Sequence, residues 1–404
     1  MPEGCNDKPR KRRLGLLPRI LIAMVLGVGA GMVLPMWCGR LMATFDALFS
    51  AFLNFMIPLI IVGFVTPAIA DTGRRAPMML LATAALAYLA TVLAGQMSYA
   101  CGTAVFPSLI TSTLPLAATE AAGIAPWFTL QITPLCTVTT ALVLAFVLGL
   151  CMARFDSPRL RGLASEMRTV VEMTIRGAVI PLLPLYIFGI FLCMTVEGQV
   201  AAVLRSFVWI VGVIFCLHVL LLLLQYCIAG IIGGRNPLKM LRTMLPAYFT
   251  ALGTQSSAAT IPVTLRQTIK MGVSEDVAGF VIPLCATIHL SGSTLKIVAC
   301  ALALTIMQGL PHDMMTFAGF IAMLGITMVA APGIPGGAIM AALGVLQSML
   351  GFSEQQCALM IALYIAMDSF GTACNVTGDG AIAVIINRFF GNKAGADSNP
   401  PTPV

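Results

Sequence analysis

Asp368, Asn375 and Asp379 lie in an apolar stretch from Ala358 to Ile386, within the run Met367-Asp368-Ser369-Phe370-Gly371-Thr372-Ala373-Cys374-Asn375-Val376-Thr377-Gly378-Asp379. An ionisable group at bilayer depth costs about 2.5–3.5 kcal/mol on insertion scales, and such groups mark ion or substrate pathways. On a helix the eleven-residue spacing returns both carboxylates to one face, with Thr372 one turn after Asp368 and Asn375 one turn before Asp379. Carboxylates in such a stripe suit an ammonium or a hard cation. Aspartyl protease chemistry is disfavoured, because two catalytic carboxylates must converge on one water and these stand about 16 Å apart along one helix.

The stripe needs a membrane-embedded frame, and the composition supplies one. Of 404 residues, 59% are hydrophobic and only 10% charged, with a mean hydropathy of +0.96; a soluble domain carries about 25% charged residues. Several apolar runs exceed the roughly 20 residues that a spanning helix needs, and none alternates with the period of two of a barrel strand. The spans read as 15–37, 42–70, 77–105, a long interrupted segment 126–154, 168–198 and 203–233. Pro181 and Pro184 are expected to kink the fifth, which neighbouring helices make tolerable.

The net charge of +7 is placed by topology. Lys8, Arg10, Lys11, Arg12, Arg13 and Arg19 precede or open the first span, and no site of small residues suggests a cleaved leader. Basic groups recur at Arg74-Arg75, Arg154 to Arg176, Arg235 to Arg242, Arg266, Lys270, Arg388 and Lys393, leaving Arg40, Arg205 and Lys296 apart. This asymmetry predicts a multi-pass protein of the cell (inner) membrane with cytoplasmic N- and C-termini, and it disfavours a nucleic-acid footprint. The 12 cysteines are scattered, without CxxC pairs or zinc spacing, and read as free, packed thiols.

From about residue 243 the texture changes. Ala247 to Ile269 is interrupted at Gly253-Thr254-Gln255-Ser256-Ser257, and Phe317 to Leu350 at Ala331-Pro332-Gly333-Ile334-Pro335-Gly336-Gly337. A long apolar helix is expected after each: 276–308, bearing Thr287, His289, Ser291, Ser293 and Lys296, and 356–388, bearing the aspartate stripe. Paired Gly/Pro-interrupted segments point to a transporter's binding site. They predict two re-entrant hairpins of opposite orientation, tolerable at that depth because protein or a watery cavity covers them.

These landmarks, in this order, resemble the dicarboxylate/amino acid:cation symporter family, which includes the excitatory glutamate transporters; the chain looks like a divergent bacterial-type member. Ser256-Ser257-Ala258-Ala259-Thr260-Ile261-Pro262 matches the serine-rich first hairpin tip, Gly333-Ile334-Pro335-Gly336-Gly337 the second, and Asn375-Val376-Thr377-Gly378-Asp379 the last-helix motif. The likeness spans about 15–390 in span order and is motif-specific over about 245–390. It implies an all-α polytopic fold of eight transmembrane helices plus two opposed re-entrant hairpins, working as an elevator-type homotrimer. The implied division is a cytoplasmic N-terminus 1–14, scaffold and trimerisation elements 15–70 and 126–233, transport elements 77–105 and 243–390, and a tail 391–404.

The resemblance also implies roles. Asp368 would receive a substrate's α-amino group, with an ion pair to Lys296 as the rival reading. Ser256, Ser257, Leu290, Ser293, Ile334, Ala338, Gly371, Thr372 and Asn375 would line the substrate, Ser257 and Asn375 holding its α-carboxylate at a half-helix end. Asp379, with carbonyls of Cys285, His289 and Asn375, would bind Na⁺, and Thr287, Met328 and Ala331 would also belong to the Na⁺-binding set.

Two departures qualify this. The family's Asn-Met-Asp-Gly-Thr is His289-Leu290-Ser291-Gly292-Ser293 here, so the sodium site anchored by that aspartate is expected to be weak or lost. His289, titratable near neutrality, and Lys296 become candidates for proton or charge coupling. Acidic-substrate members carry an arginine where Gly371 stands, so a neutral side chain is favoured; Gly371→Arg is expected to improve acidic-substrate binding. The expectation is a non-enzymatic symporter of a small, neutral amino acid coupled to Na⁺, H⁺ or both. The alternatives are a dicarboxylate or acidic amino acid symporter using Lys296 as the cationic partner, and a passive anion channel or transport-dead sensor.

Overall fold

The computed structural model describes residues 15–72, 77–110, 124–155, 157–198, 200–329, 331 and 336–391, and among these the regular structure is entirely helical. The first four helices are α1 (Leu16–Val33), α2 (Met36–Thr72), α3 (Pro77–Leu109) and α4 (Val138–Arg154). Residues 124–137 before α4 are irregular, and the Thr137 side chain closes them by accepting the Thr140 N–H at 3.2 Å. The expected fifth span comprises α5 (Pro158–Thr174), a π turn (Ile175–Val179) and α6 (Ile180–Val196). Pro181 has no N–H to return to the preceding turn, and the chain absorbs that loss in the widened turn just before it. α7 follows at Val200–Gly233.

Both expected interruptions separate helices. α8 (Pro237–Thr254) ends where Gln255 turns left-handed at φ 53°, and α9 (Ser257–Lys270) begins after Ser256, whose hydroxyl accepts the Ala259 N–H. Gln255 is the sole non-glycine with positive φ among the described residues, so this reversal is a costly local conformation held by its surroundings. α12 (Met314–Val329) and α13 (Gly337–Leu350) flank the second interruption, and Gly336 enters α13 at φ 74°. α8 packs on α9, and α12 on α13.

The two long helices expected after the interruptions are each broken. The first is α10 (Glu275–Ile288) and α11 (Ser291–Met307); the second is α14 (Glu354–Ala366) and α15 (Asp368–Phe390). His289-Leu290 can leave helical geometry because a side chain replaces the missing backbone acceptors: Asn375 Oδ1 takes the N–H groups of Gly292 and Ser293 at 2.8 and 3.2 Å. At Met367 the backbone shifts to φ −113°, ψ 12°. The stripe itself survives, since Asp368, Asn375 and Asp379 all belong to α15.

Helix α15 is the axis of the site. It packs against α7, α8, α9, α10 and α11, and it is buried without interruption from Gly371 to Ile386. A second set forms around α2, which packs on α4, α5 and α6, while α1 lies along α6. The sets meet where Asn54 of α2 donates to Glu354 Oε1 and accepts from Gln347 Nε2, both at 3.0 Å.

Seven helical stretches among the described residues are long and apolar enough to cross a membrane; the expected span 126–154 is helical over only the 17 residues of α4. Exposed Val25, Leu89, Val208 and Ile231 give the outer faces an apolar surface. This is a multi-pass membrane protein.

Candidate functional site

Asp368 opens α15, where the positive end of the helix dipole favours a carboxylate. Both of its oxygens are engaged. Lys296 Nζ lies 3.0 Å from Oδ1, and the Gly336 N–H donates to Oδ2 at 3.0 Å. Lys296 has no solvent exposure. Its ammonium also lies 3.4 Å from the Tyr364 carbonyl oxygen, 3.5 Å from that of Met367, and 3.4 Å from the Tyr364 ring centroid. The geometry therefore contains the ion pair that competed with the amine-binding reading of Asp368. Removing one partner from such a buried pair costs about 3–5 kcal/mol, because the other is left uncompensated.

Gly371 makes room for this pair. A Cβ there would stand 2.8 Å from Lys296 Nζ and 2.9 Å from Cε. The space for an arginine at this position is already filled by a cation arriving from α11, so the expectation that Gly371→Arg alone improves acidic-substrate binding is corrected. In the folded protein it would place two cations in one buried volume.

Asn375 is buried and locks the broken helix to α15. Besides accepting two N–H groups through Oδ1, it donates from Nδ2 to Ser293 Oγ at 3.0 Å. Tyr364 donates its hydroxyl to the same Ser293 oxygen at 3.1 Å. Asn375 and Tyr364 thus meet at one shared hydroxyl, that of Ser293.

Asp379 contrasts with Asp368. His289 Nδ1 lies 2.9 Å from Oδ1, and both residues are 1% exposed. Oδ2 is buried with no hydrogen-bond partner among the described residues, as is Gln225 Oε1. An orphaned, buried carboxylate oxygen on a residue that touches His289, the residue ending α10, is a hard-oxygen donor suited to a small cation. The Cys285 carbonyl belongs to this end and already accepts the His289 N–H at 2.9 Å. Ser291 accepts from Gln225 Nε2 at 3.2 Å.

Other expected residues are less concentrated. Ser256 caps α9 and Ser257 is buried at its first turn; Gln255 at this tip donates to Ser369 Oγ at 2.8 Å, beside Asp368. Thr372 and Ala338 are buried, and Leu290 is half-buried at the break. Thr287 is exposed and gives its hydroxyl proton to Leu284 O at 2.7 Å. Met328 ends α12 with its carbonyl accepting the Ala331 N–H at 3.1 Å. Ile334 lies outside the described residues.

Residues outside the expected set also enter the site. α7 contributes Gln225, Tyr226, which donates to Thr377 O at 2.8 Å, and His218, whose Nε2 lies 3.1 Å from Gly292 O. The seven-residue spacing of His218 and Gln225 on an apolar helix carried that signal, since it places both on one face. Tyr364 stands one turn before Asp368, a spacing from which its approach to the same site was readable.

Residues 16–389 match the sodium:dicarboxylate symporter family. Among curated relatives, the serine/threonine transporter SstT of Acinetobacter baumannii strain ATCC 17978 is 26% identical over 389 residues, covering 91% of this chain and 95% of the relative. The protein of the same description from strain AYE is similar to the same extent.

Proposed function

The chain belongs to the sodium:dicarboxylate symporter family, and from that premise we propose that it drives secondary active symport of a small amino acid, neutral rather than acidic, with a cation gradient. The relatives' description as serine/threonine transporters supports an amino acid as substrate. The observation that carries the cation is the unpartnered Oδ2 of Asp379, buried beside a helix break. Na⁺ is the proposed coupling ion there, with His289 available for proton coupling. The proposed substrate site lies between Asp368 at the start of α15, the first-hairpin tip at Gln255–Ser257, and Ser293 with Asn375.

In this reading α8–α9 and α12–α13 are the re-entrant hairpins, and they move with α3, α10, α11, α14 and α15 as an elevator. α7 falls within the segment first assigned to the scaffold. Its side-chain bonds to Gly292, Ser291 and Thr377 favour its movement with the site, leaving α1, α2 and α4–α6 as the trimerising scaffold. The termini lie in the cytoplasm and the protein in a bacterial inner membrane.

The deciding experiment is uptake of labelled L-serine into proteoliposomes under separately imposed Na⁺ and pH gradients. Accumulation under either gradient is expected. Ionic current without accumulation would replace symport by passive conduction. A second reading, transport of a dicarboxylate or acidic amino acid, is favoured by the Lys296 ammonium standing over Gly371. Competition of unlabelled L-aspartate or succinate against L-serine separates the two.

A further inference from the structure

We infer that Lys296 is a resident counter-ion of the substrate site, neutralising Asp368 even when no substrate amine is bound, so that the carrier crosses the membrane unloaded without a counter-transported cation. The inference rests on the symport reading and concerns the half of the cycle that substrate does not accompany. A carrier must bring its site back, and an uncompensated carboxylate at bilayer depth opposes that step.

The ammonium is held by electron-rich groups. Its three protons face Asp368 Oδ1 and the carbonyls of Tyr364 and Met367, and the Tyr364 ring lies beside it. The two carbonyls belong to the end of α14, where a helix presents its negative pole, and an aromatic face attracts a cation. Gly371 leaves the volume in which the side chain lies. The cage is therefore built into three helices and uses all three ammonium donors.

Charge and anchoring point the same way. Among the described residues of α7–α15, the buried Asp, Glu, Lys and Arg side chains are Lys296, Asp368 and Asp379; Asp46, whose Oδ1 is also buried, lies in α2 of the other set. Pairing the first two leaves the single negative charge of Asp379 for a coupling cation. Lys296 is thus a fixed cation on a carboxylate that would otherwise need a mobile one. Asp368 Oδ2 meanwhile receives the Gly336 N–H from the start of α13, so one neutralised carboxylate also anchors the start of α13 to α15. A substrate ammonium would reach Asp368 by displacing that N–H from Oδ2 while Lys296 stays on Oδ1.

The test compares wild type, Lys296→Met and Lys296→Arg in proteoliposomes. Serine exchange moves only loaded carriers, whereas net serine efflux also needs the unloaded return. Lys296→Met is expected to lower the ratio of net efflux to exchange at least about tenfold, because the return then carries a bare carboxylate, with Lys296→Arg restoring part of it. Equal loss of both rates would reduce Lys296 to a structural ion pair and overturn the inference, as would an unchanged ratio. A second measurement needs no transport: amide hydrogen exchange at Gly336–Ala338 in substrate-free protein. Lys296→Met should accelerate it at least about tenfold relative to wild type as the start of α13 loosens from Asp368, and unchanged protection overturns the role of the pair in anchoring α13. Wild-type protein that neither exchanges nor accumulates serine would defeat the symport reading instead, which keeps the two failures distinct.

Discussion

Asp368 and Asp379 occupy one face of one helix, yet their surroundings are opposite. Asp368 has a cation on one oxygen and a backbone N–H on the other. Asp379 has an imidazole on one oxygen and nothing among the described residues on the other. The chemistry of the side chain is identical, so the difference comes from what the neighbouring breaks deliver. The break at Met367 turns carbonyls toward a lysine, whereas the break at His289-Leu290 ends a helix beside a carboxylate. The comparison separates a fixed charge from a site suited to a mobile one.

The largest effect is expected at the open end of this comparison. Asp379→Asn removes the charge that would hold a cation, and Na⁺-driven serine uptake should fall by about 100-fold or more, in line with the several kcal/mol attached to buried charge contacts. Wild-type dependence on Na⁺ in this variant would remove Asp379 from coupling. The next effect tests the closed end. Gly371→Arg should lower folded yield and thermal stability in detergent by crowding Lys296, whereas Gly371→Arg with Lys296→Met should recover much of both and favour aspartate over serine in competition. Equal behaviour of the single and double variants would show that the two positions do not share one volume.

A smaller effect is expected beside Asp379. Gln225→Leu removes the amide that donates to Ser291 and whose Oε1 has no partner among the described residues. The concentration of Na⁺ giving half-maximal uptake should rise several-fold, near the about 1–3 kcal/mol of an unsatisfied buried polar contact. An unchanged Na⁺ dependence would confine Gln225 to packing.

The open and closed carboxylates were unequally legible in the sequence. The eleven-residue spacing identified the face of α15, and Gly/Pro punctuation located both interruptions, because these depend on periodicity and local backbone preference. The breaks at His289-Leu290 and Met367 were hidden inside apolar runs, with neither proline nor a glycine pair at the break itself; Pro283 stands six residues before the first, inside α10. They depend on tertiary partners, Asn375 for the first and Lys296 against the Tyr364 and Met367 carbonyls for the second. Lys296 was visible as an isolated charge and as a rival partner for Asp368, but its occupation of the space over Gly371 needed the crossing of α11 and α15. Gln225 shares a readable face with His218, but its bond to Ser291 needed the packing of α7 on α11.

Tyr364 offers the finest division of the closed end, because its ring and its hydroxyl serve different partners. The hydroxyl donates to Ser293, which also receives Asn375 Nδ2, while the ring lies 3.4 Å from Lys296 Nζ. Tyr364→Phe keeps a ring and removes one buried neutral hydrogen bond, so a stability loss of about 1 kcal/mol is expected, with the net-to-exchange ratio little changed. Tyr364→Leu also removes the cation–π contact, which contributes about 0.5–2 kcal/mol depending on desolvation, and should lower that ratio further. Thermal unfolding in detergent and the paired serine fluxes measure both quantities on the same preparations. If Phe and Leu behave alike in both, the ring does not hold the ammonium, and the resident cation rests on Asp368 and the α14 carbonyls alone.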